Sequence, residues 1–173
     1  MKMQLTTLLL SLSLSLLSPL HAQGWKNLYS DQPASEVVAS PDGNYFLLTD
    51  NEILKIDPQG DVLWTTPAFS PITHRMALLP DGGVVYTGTN SSSKYELVKI
   101  EADGDQGWDV VRDGQNVFNP VRVVPVVVDD LDRIHVGSYD ADSIYFHTYD
   151  LDGNLIREIA FDESEGESIH DLA

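Results

Sequence analysis

The feature that most constrains this chain is a mark that returns three times: an acid, two residues, Gly, three residues, then Trp. It stands as Asp57, Gly60, Trp64, again as Glu101, Gly104, Trp108, and a third time as Asp150, Gly153, Arg157. The closing positions lie 44 and 49 residues apart, with Arg replacing Trp in the last copy. A second mark keeps its order upstream of each. Pro41-Asp42-Gly43 precedes residues 45–49, Pro80-Asp81-Gly82-Gly83 precedes 84–89, and Asp129-Asp130-Leu131-Asp132 precedes 133–138. Self-similarity at such a period means stacked units, each burying a face against its neighbour.

Between the marks there is no amphipathic helical run, only short β-rich stretches cut by Asp, Gly, Asn and Pro. Each unit parses into four strands. They are 36–39, 45–49, 53–56 and 62–66; then 75–79, 84–87, 95–100 and 107–111; then 123–128, 133–138, 143–149 and 155–161. Four antiparallel strands in ~40–50 residues is the size of a propeller blade. The sequence therefore predicts an all-β, propeller-like array of about three four-stranded antiparallel blades, spanning 36–66, 75–111 and 123–161. The marks fit physically. Asp-Gly supplies the positive φ of a tight hairpin without a Cβ clash, and Trp offers a broad plate for the adjacent blade. Pro125, inside the Val123–Val128 run, argues for a bulge or a later strand start.

The ends carry pieces of the same unit. Gln23-Gly24-Trp25 repeats Gln106-Gly107-Trp108, so 24–30 reads as a fourth strand without its first three. Residues 167–173 read as a first strand without its successors. Three blades do not make a ring of four to eight, and an open arc leaves blade faces and edges uncovered. An incomplete ring is expected, closed by oligomerisation or by C-terminal blades missing from this chain.

Residues 1–22 have the form of a secretory signal. Lys2 is followed by an apolar, Leu- and Ser-rich stretch, then Ser18-Pro19 and Leu20-His21-Ala22, with cleavage expected before Gln23. That leaves 23–173 as the repeat domain. The apolar run is too short and Ser-rich to span ~20 residues of bilayer, and no later segment reaches that length. With no cysteine there is no disulfide, thiolate metal site, nucleophilic thiol or N-terminal lipidation. A periplasmic or extracellular location is expected. The formal net charge is −17, or −18 once Lys2 is removed with the leader. Such a chain repels a phosphate backbone, so nucleic acid is not an expected partner.

At the blade mark the chain resembles bacterial exported β-propeller repeat proteins, especially the quinoprotein-like group. Ile56-Asp57-Pro-Gln-Gly60-Asp-Val-Leu-Trp64 is similar to their hairpin between third and fourth strands. Leu79-Pro-Asp-Gly-Gly-Val-Val-Tyr-Thr-Gly-Thr89, with Leu97-Val-Lys-Ile100, resembles exported units built as Asp-Gly-Gly, strand, Gly, strand, Lys-Ile-Asp. The resemblance covers nearly all of 24–161 and implies the fold. It does not imply the quinone, because Gln59 stands where that family has Thr and Arg157 where it has Trp. No cofactor is expected.

Candidate chemistry is sparse. The acidic turns at 101–105 and 150–154 lack the Gly and bidentate acid that a calcium loop needs at its sixth and twelfth positions, so they read as hairpins. A turn centred on Ala141 would set His135 opposite His147 across two strands. No further ligand stands near them, and no metal site is expected. The default place for a ligand is the polar loops that lead into each first strand. These contribute His74, Arg75, Asn119, Arg122 and His170 as candidate ligand-binding residues. Catalytic residues are not identifiable, since no nucleophile elbow, phosphate loop or His-Glu-x-x-His helix occurs. Two readings stand: a non-catalytic binding or scaffold propeller, or part of a propeller enzyme such as a lyase, lactonase or other hydrolase.

Overall fold

A computed structural model describes residues 34–49, 51–68, 75–89, 94–116, 125–139 and 143–162. They form three four-stranded antiparallel meanders, and no described residue is helical. The first sheet holds β1 (Ala34–Ala39), β2 (Tyr45–Thr49), β3 (Glu52–Ile56) and β4 (Val62–Pro67). The second holds β5 (Arg75–Leu78), β6 (Val84–Thr89), β7 (Lys94–Ile100) and β8 (Gln106–Asn116). The third holds β9 (Val126–Val128), β10 (Ile134–Tyr139), β11 (Ser143–Tyr149) and β12 (Leu155–Asp162). The first strands β1, β5 and β9 pack side by side, as the inner strands of propeller blades do. Pro125 marks a late start, for β9 begins at Val126.

Two seams hold the sheets together. Between the first and second lie Phe46, Leu48, Ile53, Met76, Val84 and Tyr86, with Trp64 packed against them. Between the second and third lie Leu79, Val85, Leu97, Val126, Ile134, Val136 and Tyr149, with Trp108 and Leu151 alongside. The central strands β2, β3 and β6 are dry on both faces; the apolar runs of β2 and β6 anticipate this, whereas β3 buries Lys55 within it. Glu36 adds a polar stitch, its Oε2 accepting from the Met76 N–H at 2.6 Å.

The repeated marks are what close each seam. The indole of Trp64, on β4, donates from Nε1 to the Ala102 carbonyl at 3.1 Å, in the turn between β7 and β8. Thr66 Oγ1 donates to the Gly104 carbonyl of the same turn. Trp108, on β8, repeats this one sheet later, donating to the Leu151 carbonyl at 2.9 Å. The plates lie so close that a Cβ on Gly104 would stand 2.8 Å from Trp64 Cδ2, and one on Gly153 3.0 Å from Trp108 Cδ2. Both glycines have positive φ, +97° and +80°. They are thus required twice over, for the turn and for the ring upon it.

The histidine expectation is corrected. His135 pairs with Thr148, and His147 with Val136. The register differs by one residue from a turn centred on Ala141, which puts the two rings on opposite faces of the sheet.

Candidate functional site

The hairpins β1–β2, β5–β6 and β9–β10 turn at the same end of the three sheets. Each closes the same way: a backbone bond joins Gly43 N–H to Ser40, Gly82 to Leu79 and Asp132 to Asp129, at 3.0, 3.0 and 3.1 Å. Asp132 holds the position that glycine takes in the other two, at φ 59°. A carboxylate braces each turn from within. Asp42 Oδ1 accepts from Asn44 N–H, Asp81 Oδ1 from Gly83 N–H, and Asp129 Oδ1 from both Leu131 and Arg133 N–H, at 2.9–3.0 Å.

The remaining oxygen of each acid faces a cation. Lys55 Nζ, on a side chain 9% exposed, lies 3.1 Å from Asp42 Oδ2 and 5.1 Å from the Phe46 ring centroid. Lys99 Nζ lies 2.6 Å from Asp81 Oδ2 and 3.1 Å from Glu101 Oε2. In the third sheet Thr148 holds the lysine position, and Asp129 is met instead by Arg133 Nη2 at 2.6 Å and His135 Nε2 at 2.9 Å. His135 Nδ1 reaches Thr148 Oγ1 at 3.1 Å, and the imidazole stacks 5.4 Å from the Phe146 ring. The Asn44 backbone bond and then Lys55 hold the Asp42 carboxyl below the usual range. Burial pushes the Asp81 carboxyl up, but Lys99 and the Gly83 N–H outweigh it and leave it lowered. Arg133, then His135, lower Asp129.

These turns border an open cavity of about 540 Å³. Pro41, Leu78, Leu79, Pro80, Ala102 and Val128 give it an apolar floor, and Ser40, Asp42, Lys55, Asp81 and Asp129 its polar rim. Chemically it suits a ligand with an apolar body and groups that meet a carboxylate rim. No group of three or more His, Asp or Glu placed to hold a metal ion occurs among the described residues.

Of the loop residues singled out in the sequence, Arg75 alone is described. It opens β5, half-buried opposite Thr87, and its charge faces Glu36 across the first seam. Burial raises the Glu36 carboxyl, against the Met76 N–H and Arg75. His74, Asn119, Arg122 and His170 lie outside the described residues. The cavity sits at the other end of β5, beside Leu78, where the sequence reading placed no site. The recurring Ser/Leu-Pro-Asp-Gly turns were its signal, read only as hairpins. His147 is fully buried on the face turned toward the second sheet, near-parallel to Tyr145 at 5.9 Å and 3.0 Å from Glu158 Oε2.

No family model matches the chain. Solved structures with a similar fold include the WD40 domain of Toxoplasma gondii coronin, at TM-score 0.60 and 13% identity. The WD40 domain of Neurospora crassa Pan2 aligns at 0.52 and 11%, and a Bacteroides caccae protein of unknown function at 0.53 and 15%. They cover 79%, 73% and 78% of this chain, which in turn spans 37%, 36% and 48% of theirs. At these identities the likeness is one of fold, and the fold is propeller-like. Among curated proteins, tRNA pseudouridine synthase B of Brucella ovis is 36% identical over 87 residues, and that of Brucella melitensis matches equally. The match takes in 50% of this chain and 24% of the synthase.

Proposed function

We propose that this chain is an exported, non-catalytic binding or scaffold module of propeller type, acting in the periplasm or outside the cell. Its ring is completed by further blades or by another copy of the chain. The observation that carries the reading is the commitment of the rim charges. Asp42, Asp81 and Asp129 each brace a turn and pair with a cation of their own sheet, so they hold a rigid apolar-floored cavity in shape. Rigid, pre-formed concavities of this kind favour binding. The export half of the proposal rests on residues 1–22, and cleavage before Gln23 is its signature.

The alternative is the N-terminal part of a propeller enzyme, a lyase, lactonase or other hydrolase. The chain spans 36–48% of its structural neighbours, which leaves room for the further blades such an enzyme would need. The likeness to a pseudouridine synthase supports no RNA chemistry here, since it spans a quarter of that enzyme and the net charge is −17.

The test has two arms. The chain is expressed with a C-terminal tag in a Gram-negative host, fractionated, and sequenced from its amino end. A periplasmic product starting at Gln23 is expected, and an uncleaved cytoplasmic product defeats the export reading. The purified protein is then incubated with p-nitrophenyl acetate and dihydrocoumarin. Hydrolysis at the buffer rate is expected, whereas turnover abolished by Asp129→Asn or His135→Gln would establish the enzyme.

A further inference from the structure

The outer face of the first sheet points to an occupant. Leu47, Leu54 and Ile56 form a separate cluster there, with Tyr45 packed against it and no member from the second or third sheet. Leu54 and Ile56 are only 2% and 0% exposed. A sheet face this dry needs a cover, and the other two sheets lie on the opposite side. At its edge stands the turn between β3 and β4, built like the two that receive an indole. Gly60 N–H bonds the Asp57 carbonyl at 3.0 Å, as Gly104 does to Glu101 and Gly153 to Asp150. Asp57 Oδ1 accepts from Gln59 and Asp61 N–H at 2.9 Å, and Gly60 has φ +89°.

In both seams the covering strand comes from the sheet that precedes in sequence, and its Trp seats on the following turn. The sequence repeats the opening of such a strand once more, ahead of β1. Gln23-Gly24-Trp25 repeats the Gln106-Gly107-Trp108 that opens β8. Eight residues separate Trp25 from Ala34, where β1 begins, against ten between Trp64 and Arg75, where β5 begins. The two connections have comparable reach.

We propose that residues 24–30 of this chain dock on the outer face of the first sheet, with the Trp25 indole seated over Gly60 and its Nε1 donating to the Pro58 carbonyl. The amino-terminal segment then seals the first sheet as β4 and β8 seal the second and third. The partner of this surface is the chain itself, and the inference stands whether or not the functional proposal does.

The chain contains three tryptophans, one for each turn, so a fluorine label reports on all three at once. The full protein is prepared with 5-fluorotryptophan, and the resonance of Trp25 is assigned by Trp25→Phe. In the unmutated protein the Trp25 resonance is expected to show a reduced shift between H2O and D2O, like those of Trp64 and Trp108. Gly60→Val should displace the Trp25 resonance while moving the other two little, and Gly104→Val should displace that of Trp64. A Trp25 resonance with the full solvent shift of free tryptophan overturns the proposal. So does one that Gly60→Val leaves in place while the protein stays folded. Should Gly60→Val fail to fold, the solvent shift of the unmutated protein decides alone.

Discussion

The two seams and the outward face of the third sheet present the same positions with different residues. On the faces that are covered, one acid, one lysine and one tryptophan recur: Asp42, Lys55 and Trp64, then Asp81, Lys99 and Trp108. On the third, Leu131 stands at the acid's position and Asp129 two residues earlier, at that of Ser40 and Leu79, while Thr148 replaces the lysine, Arg157 the tryptophan, and His135 takes the place of Phe46 and Val85. A lysine ammonium under a neighbouring sheet is tolerable only with its carboxylate beside it. Among the described residues no strand crosses the third face, and Phe161 is 54% exposed there. A seam can hold a wide apolar plate over a buried ion pair. Where no described strand covers the sheet, the positions matching the lysine and the plate carry a short hydroxyl and an exposed arginine.

The comparison can be broken most sharply at the plates. Trp108→Ala removes the ring on Gly153 and its bond to Leu151, and should cost about 3 kcal/mol of unfolding free energy in a urea titration. Arg157→Ala at the matching position should stay within about 0.5 kcal/mol, and an equal loss would mean the third face is covered too. Next in size is the turn itself. Gly104→Val forces a branched side chain to φ +97° and into Trp64, for about 2 kcal/mol, read in the same titration.

The ion pairs come third. Lys99→Met should cost about 1 kcal/mol at neutral pH, since Asp81 and Glu101 are partly exposed and rehydrate. The sign of its pH dependence follows from Asp81, whose carboxyl is lowered in the fold. Its contribution is present above the unfolded value of 3.8 and fades as pH falls through the lower folded one. The difference between the two proteins should shrink in melts run below pH 4. Smallest is Asp132→Gly. The third turn alone carries a side chain at positive φ, so glycine should stabilise by about 0.5 kcal/mol, while Gly43→Asp and Gly82→Asp destabilise.

Much of the fold was legible because its signals are local. Asp-Gly turns and the Trp spacing announce the hairpins, and Pro125 announces the late start of β9. That the tryptophans pack against the adjacent blade was also readable from the need to bury a large ring. What each ring seats upon was not, since Ala102 and Leu151 lie 38 and 43 residues away. The lysine–acid pairs escaped for a similar reason. Lys55 meets Asp42 only once the register of three strands is set. The histidines show how thin that margin is, because one residue in the β10–β11 connection exchanged neighbours for opposite faces. The cavity was illegible because its walls come from three turns that converge only when the sheets stack.

The direction of the indole contacts has a consequence for how the chain assembles. In each seam the ring belongs to the earlier sheet and the turn to the later one. A polypeptide made from its amino end therefore displays Trp64 before the turn bearing Ala102 and Gly104 exists, and Trp108 before that of Leu151 and Gly153. At synthesis rates of 5–20 residues per second each ring stays bare for roughly 2–9 s. Assembly thus advances like a zip with a single wet tooth at its growing end. That tooth, renewed about every forty residues, is where a chaperone or a wrong partner finds its hold.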